Sequence, residues 1–487
     1  EKALFKLGWV YYNLDRFDDA KTVLADLLDR EVRKVEREGR EFAPAPILFF
    51  PGPRRGVQKN PEPKGSDLYQ ETLEIIARVY SESGGADGLV RFIRSRQRGG
   101  KPQPYAAPLM HRLALVEKER SQFDAAARAY ELLLGTFPTF RDAPKIELEY
   151  VQVLIDQKQL ERAAKAREVM LEKYDSGSPW ARANPEEEIR DAALRAARKG
   201  LSWSIRYYHS RGLEQQKESG GVPQDLRHAI ALYEKYLRRF PEGKASYDRR
   251  FRHAQALFAA AEYERAGEAF RFVSFDEAFD HRRDEAAFAR ILSVEKLAES
   301  RPRPLPATVT ETLVAAYEDY IQLNPQSDKN PALLFKEGQL YFEAATYAPA
   351  IAAFTRLIDA YGASPFAAEA HDLIAQAHFR LEEYPVAERW AELALGQARS
   401  GDALGARRGE VENLYALTIF RQGEKADEEK RYDEATKHYL RLVDRLPANE
   451  TAPRALYNAA VAIENSGRPE EAARLFERLL SDYVESD

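Results

Sequence analysis

The 487-residue sequence contains no cysteine. That excludes disulfides, iron–sulfur clusters, thiolate-bound zinc and a cysteine nucleophile. Long apolar runs are also missing. The longest candidate, residues 47–50, falls far short of the roughly 18 residues a membrane helix needs. Nor is there an excess of basic charge: the net charge is −6 and the isoelectric point about 6.0. A domain built to bind nucleic acid is usually strongly basic. What remains is 44% hydrophobic and 31% charged residues, a foldable composition that is neither disordered nor membranous. The length suits about three domains or one elongated repeat array.

Catalytic signatures are missing too. There is no His-Glu-x-x-His, no Walker loop, no Gly-x-Gly-x-x-Gly and no nucleophile elbow. Acidic residues are spread over every helical segment, so no carboxylate pair stands out. His371 and His378 are seven residues apart, about 10 Å along a helix, too far to share a metal directly. No catalytic, cofactor-binding or metal-ligating residue is assigned, and the chain is expected not to be an enzyme.

What is present is a repeat. An aromatic residue is followed by Ala three residues later and by an aromatic or Leu four further on. Phe17-Ala20-Leu24, Phe123-Ala126-Tyr130, Tyr263-Ala266-Phe270, Tyr347-Ala350-Phe354 and Tyr432-Ala435-Tyr439 carry it. Tyr384-Ala387-Ala391 and two weaker copies, starting at Leu160 and Pro469, complete eight units. Nine residues before each start is a small residue: Gly8, Ala114, Val151, Ala254, Gly338, Ala375, Gly423 and Ala460. Downstream, Pro138, Pro241, Pro325 and Pro447 close four of the units. Offsets of three and four put residues on one helix face. Small residues let two antiparallel helices approach, and proline stops the second.

This pattern resembles the tetratricopeptide repeat, whose period is about 34 residues. The resemblance implies an all-α fold: an α-solenoid, a right-handed superhelix of antiparallel helix pairs. Further second helices are expected at 229–241 and 310–325. The expected organisation is an N-terminal repeat at 1–30, a charged helix extension with a Pro-rich insert at 31–66, an irregular solenoid at 67–300, a Pro-rich hinge at 301–306 and a regular solenoid at 307–487. The pattern starts mid-unit at Glu1 and stops just after a second helix, which leads to the expectation that this is a segment of a longer protein.

The repeat family receives peptides or helices on the first helices of its pairs. Carried over by position, the partner-binding residues would be Phe5, Trp9, Tyr12 and Asn13; Phe251, Gln255 and Phe258; Phe335, Gln339 and Phe342; Phe379 and Arg380; and Tyr457. Asp372, Gln376 and Glu343 would join them. These aromatics are expected to be spare, not serving the packing of their own pair. The Lys/Asn clamp of the chaperone-binding members is missing, since Phe5, Trp9, His111 and Leu115 occupy its places.

Two further elements are candidates. Ile47, Leu48, Phe49 and Phe50, between prolines, form a candidate docking loop. Arg91, Arg94 and Arg98 are expected on one helical face as a candidate anion-binding site. The charge is split: residues 303–487 carry 31 acids against 20 bases, residues 1–302 48 against 53. A charged partner for one half is one reading of this. Arg195, Arg198, Lys199, Arg206 and Arg211 beside Trp203, Tyr207 and Tyr208 have the composition of a nucleic-acid surface, but the overall acidity speaks against one.

The junctions at 361–370 and 446–455 resemble those of bacterial cell-envelope members of the family, such as the lipoprotein of the outer-membrane β-barrel assembly machine and the coordinator of the Tol–Pal system. That resemblance implies a scaffold in an envelope assembly, transport or motility complex, in the periplasm or on the periplasmic face of the outer membrane. The alternatives are the substrate-gripping part of a cell-wall enzyme and a cytoplasmic regulator binding RNA or an acidic partner.

Overall fold

The computed structural model describes residues 1–38, 68–397 and 403–483. Every regular element among them is helical; the sole β-type contact is an isolated bridge between Arg98 and Lys101. The chain divides into two compact units, Glu1–Pro241 and Glu242–Asp487. The candidate docking loop Ile47, Leu48, Phe49 and Phe50 lies outside the described residues.

The first unit holds α1 (Lys2–Asn13), α2 (Phe17–Arg37), α3 (Leu68–Glu82), α4 (Gly85–Ser95), α5 (Ala106–Glu119), α6 (Phe123–Thr136), α7 (Ala143–Asp156), α8 (Leu160–Tyr174), the short α9 (Pro179–Ala183), the long α10 (Glu187–Ser219) and α11 (Gln224–Arg239). The second holds α12 (Lys244–Ala259), α13 (Tyr263–Ser274), α14 (Arg283–Glu299), α15 (Ala307–Leu323), α16 (Asn330–Glu343), α17 (Tyr347–Tyr361), α18 (Ala367–Arg380), α19 (Tyr384–Gln397), α20 (Ala403–Ala406), α21 (Arg408–Glu428), α22 (Tyr432–Arg445), α23 (Ala452–Asn465) and α24 (Pro469–Asp482). Within each unit, successive helices pack on one another, the arrangement of an α-solenoid.

The repeat phrase has a fixed structural meaning. In all eight units its first residue is the first residue of the second helix. Two residues earlier the backbone turns left-handed, at Asp15, Ser121, Lys158, Ala261, Ala345, Glu382, Lys430 and Gly467, with φ between 55° and 82°. This residue donates its N–H three residues back, and the next donates five back, as Ala345 to Phe342 at 3.0 Å and Thr346 to Tyr341 at 2.9 Å. That pair of bonds is a Schellman motif; it satisfies the last carbonyls of the first helix and reverses the chain. Seven of the eight reversals use a residue with a Cβ, so composition hides a turn that position reveals.

The small residues lie where the two helices touch. A Cβ on Gly8, Gly338 or Gly423 would approach Leu24, Phe354 or Tyr439 to 2.4–2.6 Å. The alanines of the phrase are buried in every pair, with aromatics such as Tyr130, Phe354 and Tyr439 closing the space around them. Each fully buried large side chain contributes about 2–3 kcal/mol of hydrophobic stabilisation. Prolines end second helices as expected. Phe137, Phe240, Asn324 and Leu446, each before a proline, leave the helical region at φ −126° to −135°.

The basic trio is corrected. α4 ends at Ser95, and Gly99 and Gly100, both at positive φ, fold a tight reversal in which Arg98 and Lys101 exchange backbone hydrogen bonds of 3.0 Å. Arg98 therefore does not share a helix face with Arg91 and Arg94, and its guanidinium lies 3.9 Å from Glu36. Arg98 lies past the end of the helix, in the reversal that the positive-φ Gly99 and Gly100 make without steric cost.

Candidate protein-binding face

Residues expected on the groove divide by burial. Phe5, Phe251 and Phe335 are only 5%, 2% and 6% exposed. Phe251 packs edge-on against Phe270, with ring centres 5.6 Å apart, and Phe335 lies between Phe354 and Phe366 at 5.7 and 5.2 Å. The half-buried aromatics also serve their own pair. Tyr12–Phe17, Phe258–Tyr263, Phe342–Tyr347 and Phe379–Tyr384 bridge the helix reversal, with ring centres 5.4–6.3 Å apart. The expectation of spare aromatics is thus corrected. Five residues separate the members of each pair, and the reversal brings both onto one side of the turn.

Trp9 packs partly on the first unit's core, and Asn13 donates to its carbonyl at 3.0 Å. Gln255 is exposed and Gln339 half-buried. Tyr457 is 52% exposed and edge-on to Phe476 at 5.7 Å.

One hollow gathers four of the expected residues. It has a volume of about 390 Å³, and α18 contributes Asp372, Gln376, Phe379 and Arg380. The next first helix, α21, faces them with Glu410, Leu414 and Leu417, and Arg407 precedes it. Arg407 ties the hollow together, with nitrogens 3.7 Å from Glu369, 3.4 Å from Asp372 and 2.7 Å from Glu410. Asp372 is buried and accepts from Gln376 at 2.9 Å. Burial lifts its carboxyl above the usual range, against the pull of Arg407. Phe379, Leu414 and Leu417 supply apolar wall. Arg380 is exposed and has no ion-pair partner among the described residues.

A second hollow of about 320 Å³ lies between α14, α15 and α16 and includes Gln339 and Glu343. Most of its charged groups and Tyr317 are already engaged: Lys336 meets Glu295 at 2.6 Å, Tyr317 donates to the same carboxylate at 3.0 Å, and Arg303 meets Glu343 at 2.7 Å. The remaining candidates, Phe5, Trp9, Tyr12, Asn13, Phe251, Gln255, Phe258, Phe335, Phe342 and Tyr457, do not join either hollow.

Sequence reasoning missed Arg407, Glu410, Leu414 and Leu417. α21 is 21 residues long; Arg407 precedes it and Glu410 and Leu414 lie in its extra N-terminal turns, outside the window the repeat spacing defines, while Leu417 falls inside that window at the place Lys2 holds in the first unit. The run Arg407-Arg408 before an unbroken helical pattern was the available signal.

The basic and aromatic stretch of α10 is internally spoken for in part. Trp203 stacks on Tyr207, with ring centres 5.7 Å apart and planes 2° apart, and Arg167 caps Trp203 at 4.5 Å. Arg198 donates to the Tyr236 hydroxyl at 2.7 Å, and Arg211 pairs with Asp225 at 2.5 Å. Among the described residues no group of three or more His, Asp or Glu side chains is placed to hold a metal ion, and no helix is long and apolar enough to cross a membrane.

With this geometry in place, comparison with known proteins adds matches to a repeat family over less than half of the chain. Two tetratricopeptide-repeat models match, one over residues 2–31 and the other over 335–403 and 420–484. The matches support the tetratricopeptide-repeat family. They include α18 and the C-terminal half of α21. No curated protein matches the sequence. Among solved structures, the MamA protein is 17% identical, with 41% of this chain and 94% of that chain covered and a TM-score of 0.25. A tetratricopeptide repeat protein from Parabacteroides merdae is 14% identical, with 57% and 93% covered and a TM-score of 0.25. The apo form of RapI is 13% identical, with 59% and 77% covered and a TM-score of 0.25. Scores this low carry no argument about this chain.

Proposed function

We propose that the chain is a non-catalytic protein-interaction scaffold, and that the hollow between α18 and α21 receives a segment of its partner. The observation that carries this is the convergence of Asp372, Gln376, Phe379 and Arg380 with Leu414 and Leu417 in one hollow. Its apolar wall accepts an apolar side chain, and the exposed Arg380 guanidinium accepts a carboxylate. Interfaces are commonly anchored by an aromatic and an arginine arranged in this way. The partner is therefore a peptide or helix with an apolar residue next to an acidic one.

The setting we propose is a bacterial envelope complex for assembly, transport or motility, facing the periplasm. Support for it comes from the junction sequences at 361–370 and 446–455 and from the lack of cysteine, which suits an oxidising compartment.

The test places a photo-crosslinking residue at Gln376 in the full chain and irradiates it in the native cell. Specific adducts that disappear in the Phe379→Ala variant support the assignment. Adducts equal to those from the same probe at exposed Leu393 contradict it.

A further inference from the structure

A third hollow, of about 390 Å³, lies within the second unit, between α13, α14 and α15. It shares no residue with the α18–α21 hollow. The joint beside it is unusual. In all eight repeat units three residues connect the first helix to the second, as 344–346 do, but residues 300–306 connect α14 to α15. This longer joint forms the rim with Arg301 and Pro306. Inside, Val294 and Leu297 of α14 and Val309 of α15 form an apolar wall.

The charges around that wall are unmatched. Arg290 of α14 is only 6% exposed and pairs with Asp319 of α15. Arg271 of α13 meets the same carboxylate at 3.1 Å. One carboxylate therefore serves two guanidiniums, and this end of the hollow keeps a surplus positive charge. Farther along α13 stand Glu268 and Glu264, both exposed and without an ion-pair partner among the described residues. They are three and seven residues from Arg271, about 4 and 10 Å along the helix. That spacing puts all three on one helix face. Cation and anion thus flank an apolar surface, in a volume that suits a small molecule.

We propose that this hollow binds a free dipeptide with apolar side chains, held as a zwitterion. An extended dipeptide spans about 7 Å, which matches the run from Arg271 to the two glutamates. Its carboxylate takes the surplus charge of Arg271 and Arg290, and its ammonium meets Glu268 and Glu264. Its side chains cover Val294, Leu297 and Val309. Charge-assisted hydrogen bonds at the two ends set its direction, and burial of apolar surface supplies further attraction. A peptide segment inside a protein chain lacks both terminal charges and does not fit this pattern. The inference does not rest on the α18–α21 hollow.

The probe is leucyl-leucine, titrated into the full chain and followed by calorimetry. Saturable binding at one site per chain is expected, with a dissociation constant below about 1 mM. Acetylation of its amine or amidation of its carboxylate removes one charge, and each is expected to weaken binding about ten-fold or more. Glu268→Gln and Arg271→Gln in the protein are expected to do the same, with circular dichroism confirming intact helix. Leucine is shorter and glycyl-glycine has no apolar side chains, so both are expected to bind several-fold more weakly. Leu393→Asp, on exposed α19 surface, is expected to change nothing. Absence of saturation up to about 5 mM overturns the inference. Equal binding by the acetylated form would leave a simple carboxylate site and overturn the zwitterion. Loss with Arg301→Gln in place of Arg271→Gln would put the carboxylate at the rim and overturn the assignment.

Discussion

Gly338 faces the ring of Phe354 so closely that a Cβ on Gly338 would stand 2.4 Å from the Cε1 of Phe354. The same sixteen-residue relationship joins Gly8 to Leu24 and Gly423 to Tyr439. Gly338→Ala forces the Phe354 ring to shift. Overpacking costs about 1–3 kcal/mol, and alanine returns at most about 1 kcal/mol of helix propensity. A net loss of about 1–2 kcal/mol is expected, read as a lower thermal midpoint. Gly396→Ala, where a Cβ meets open space, is expected to show no loss.

The helix reversals offer the opposite lever. Ala261 and Ala345 hold φ near 58° and 55°, where a Cβ is penalised by about 1–2 kcal/mol. Ala261→Gly and Ala345→Gly relieve that strain and give back part of it as unfolded-state entropy, so each is expected to stabilise by about 0.5–1 kcal/mol. Gly467→Ala, at φ 82°, is expected to destabilise by about 1 kcal/mol. Chemical denaturation of the three variants checks all three signs.

Glu337 gives a pH dependence. It is buried on α16 near Glu318 of α15, and Arg356 of α17 lies 4.0 Å away. Burial, and then the neighbouring Glu318 charge, push the Glu337 carboxyl up to about 8, against the pull of Arg356. A folded value above the unfolded one means that the folded chain holds a proton the unfolded chain releases. This contribution is fully present below the unfolded value, near 4.5, and is lost as pH rises through about 8. The parent's thermal midpoint is expected to fall between pH 5 and 8, and Glu337→Gln, which keeps the neutral shape, is expected to flatten that fall. An unchanged slope would contradict the assignment.

Most of the fold was legible because the repeat fixes three contacts at once. Phe17, Tyr347 and Tyr432 mark the starts of second helices, Gly8, Gly338 and Gly423 the close approaches, and Pro138 and Pro447 the ends. Much less of the site was legible. Whether an aromatic twelve residues before a second helix is free depends on the pair that follows, so Phe335 is buried by Phe366 while Tyr457 is open. No spacing within a unit records that. Glu410 and Leu414 lie in extra turns of α21 that belong to no repeat position. The charge spacing of Arg91, Arg94 and Arg98 reads as helical, but α4 ends at Ser95 and Gly99 and Gly100 turn the chain back just after Arg98.

The most direct measurement compares partner capture by the full chain and by a Phe379→Ala/Arg380→Glu double variant, from fractionated native cells, with circular dichroism confirming intact helix. Both residues line the α18–α21 hollow, and neither is fully buried. If this hollow receives the partner, a defined set of proteins is captured by the parent and lost with the variant. Equal capture by both would show that the partner binds elsewhere and would contradict the account.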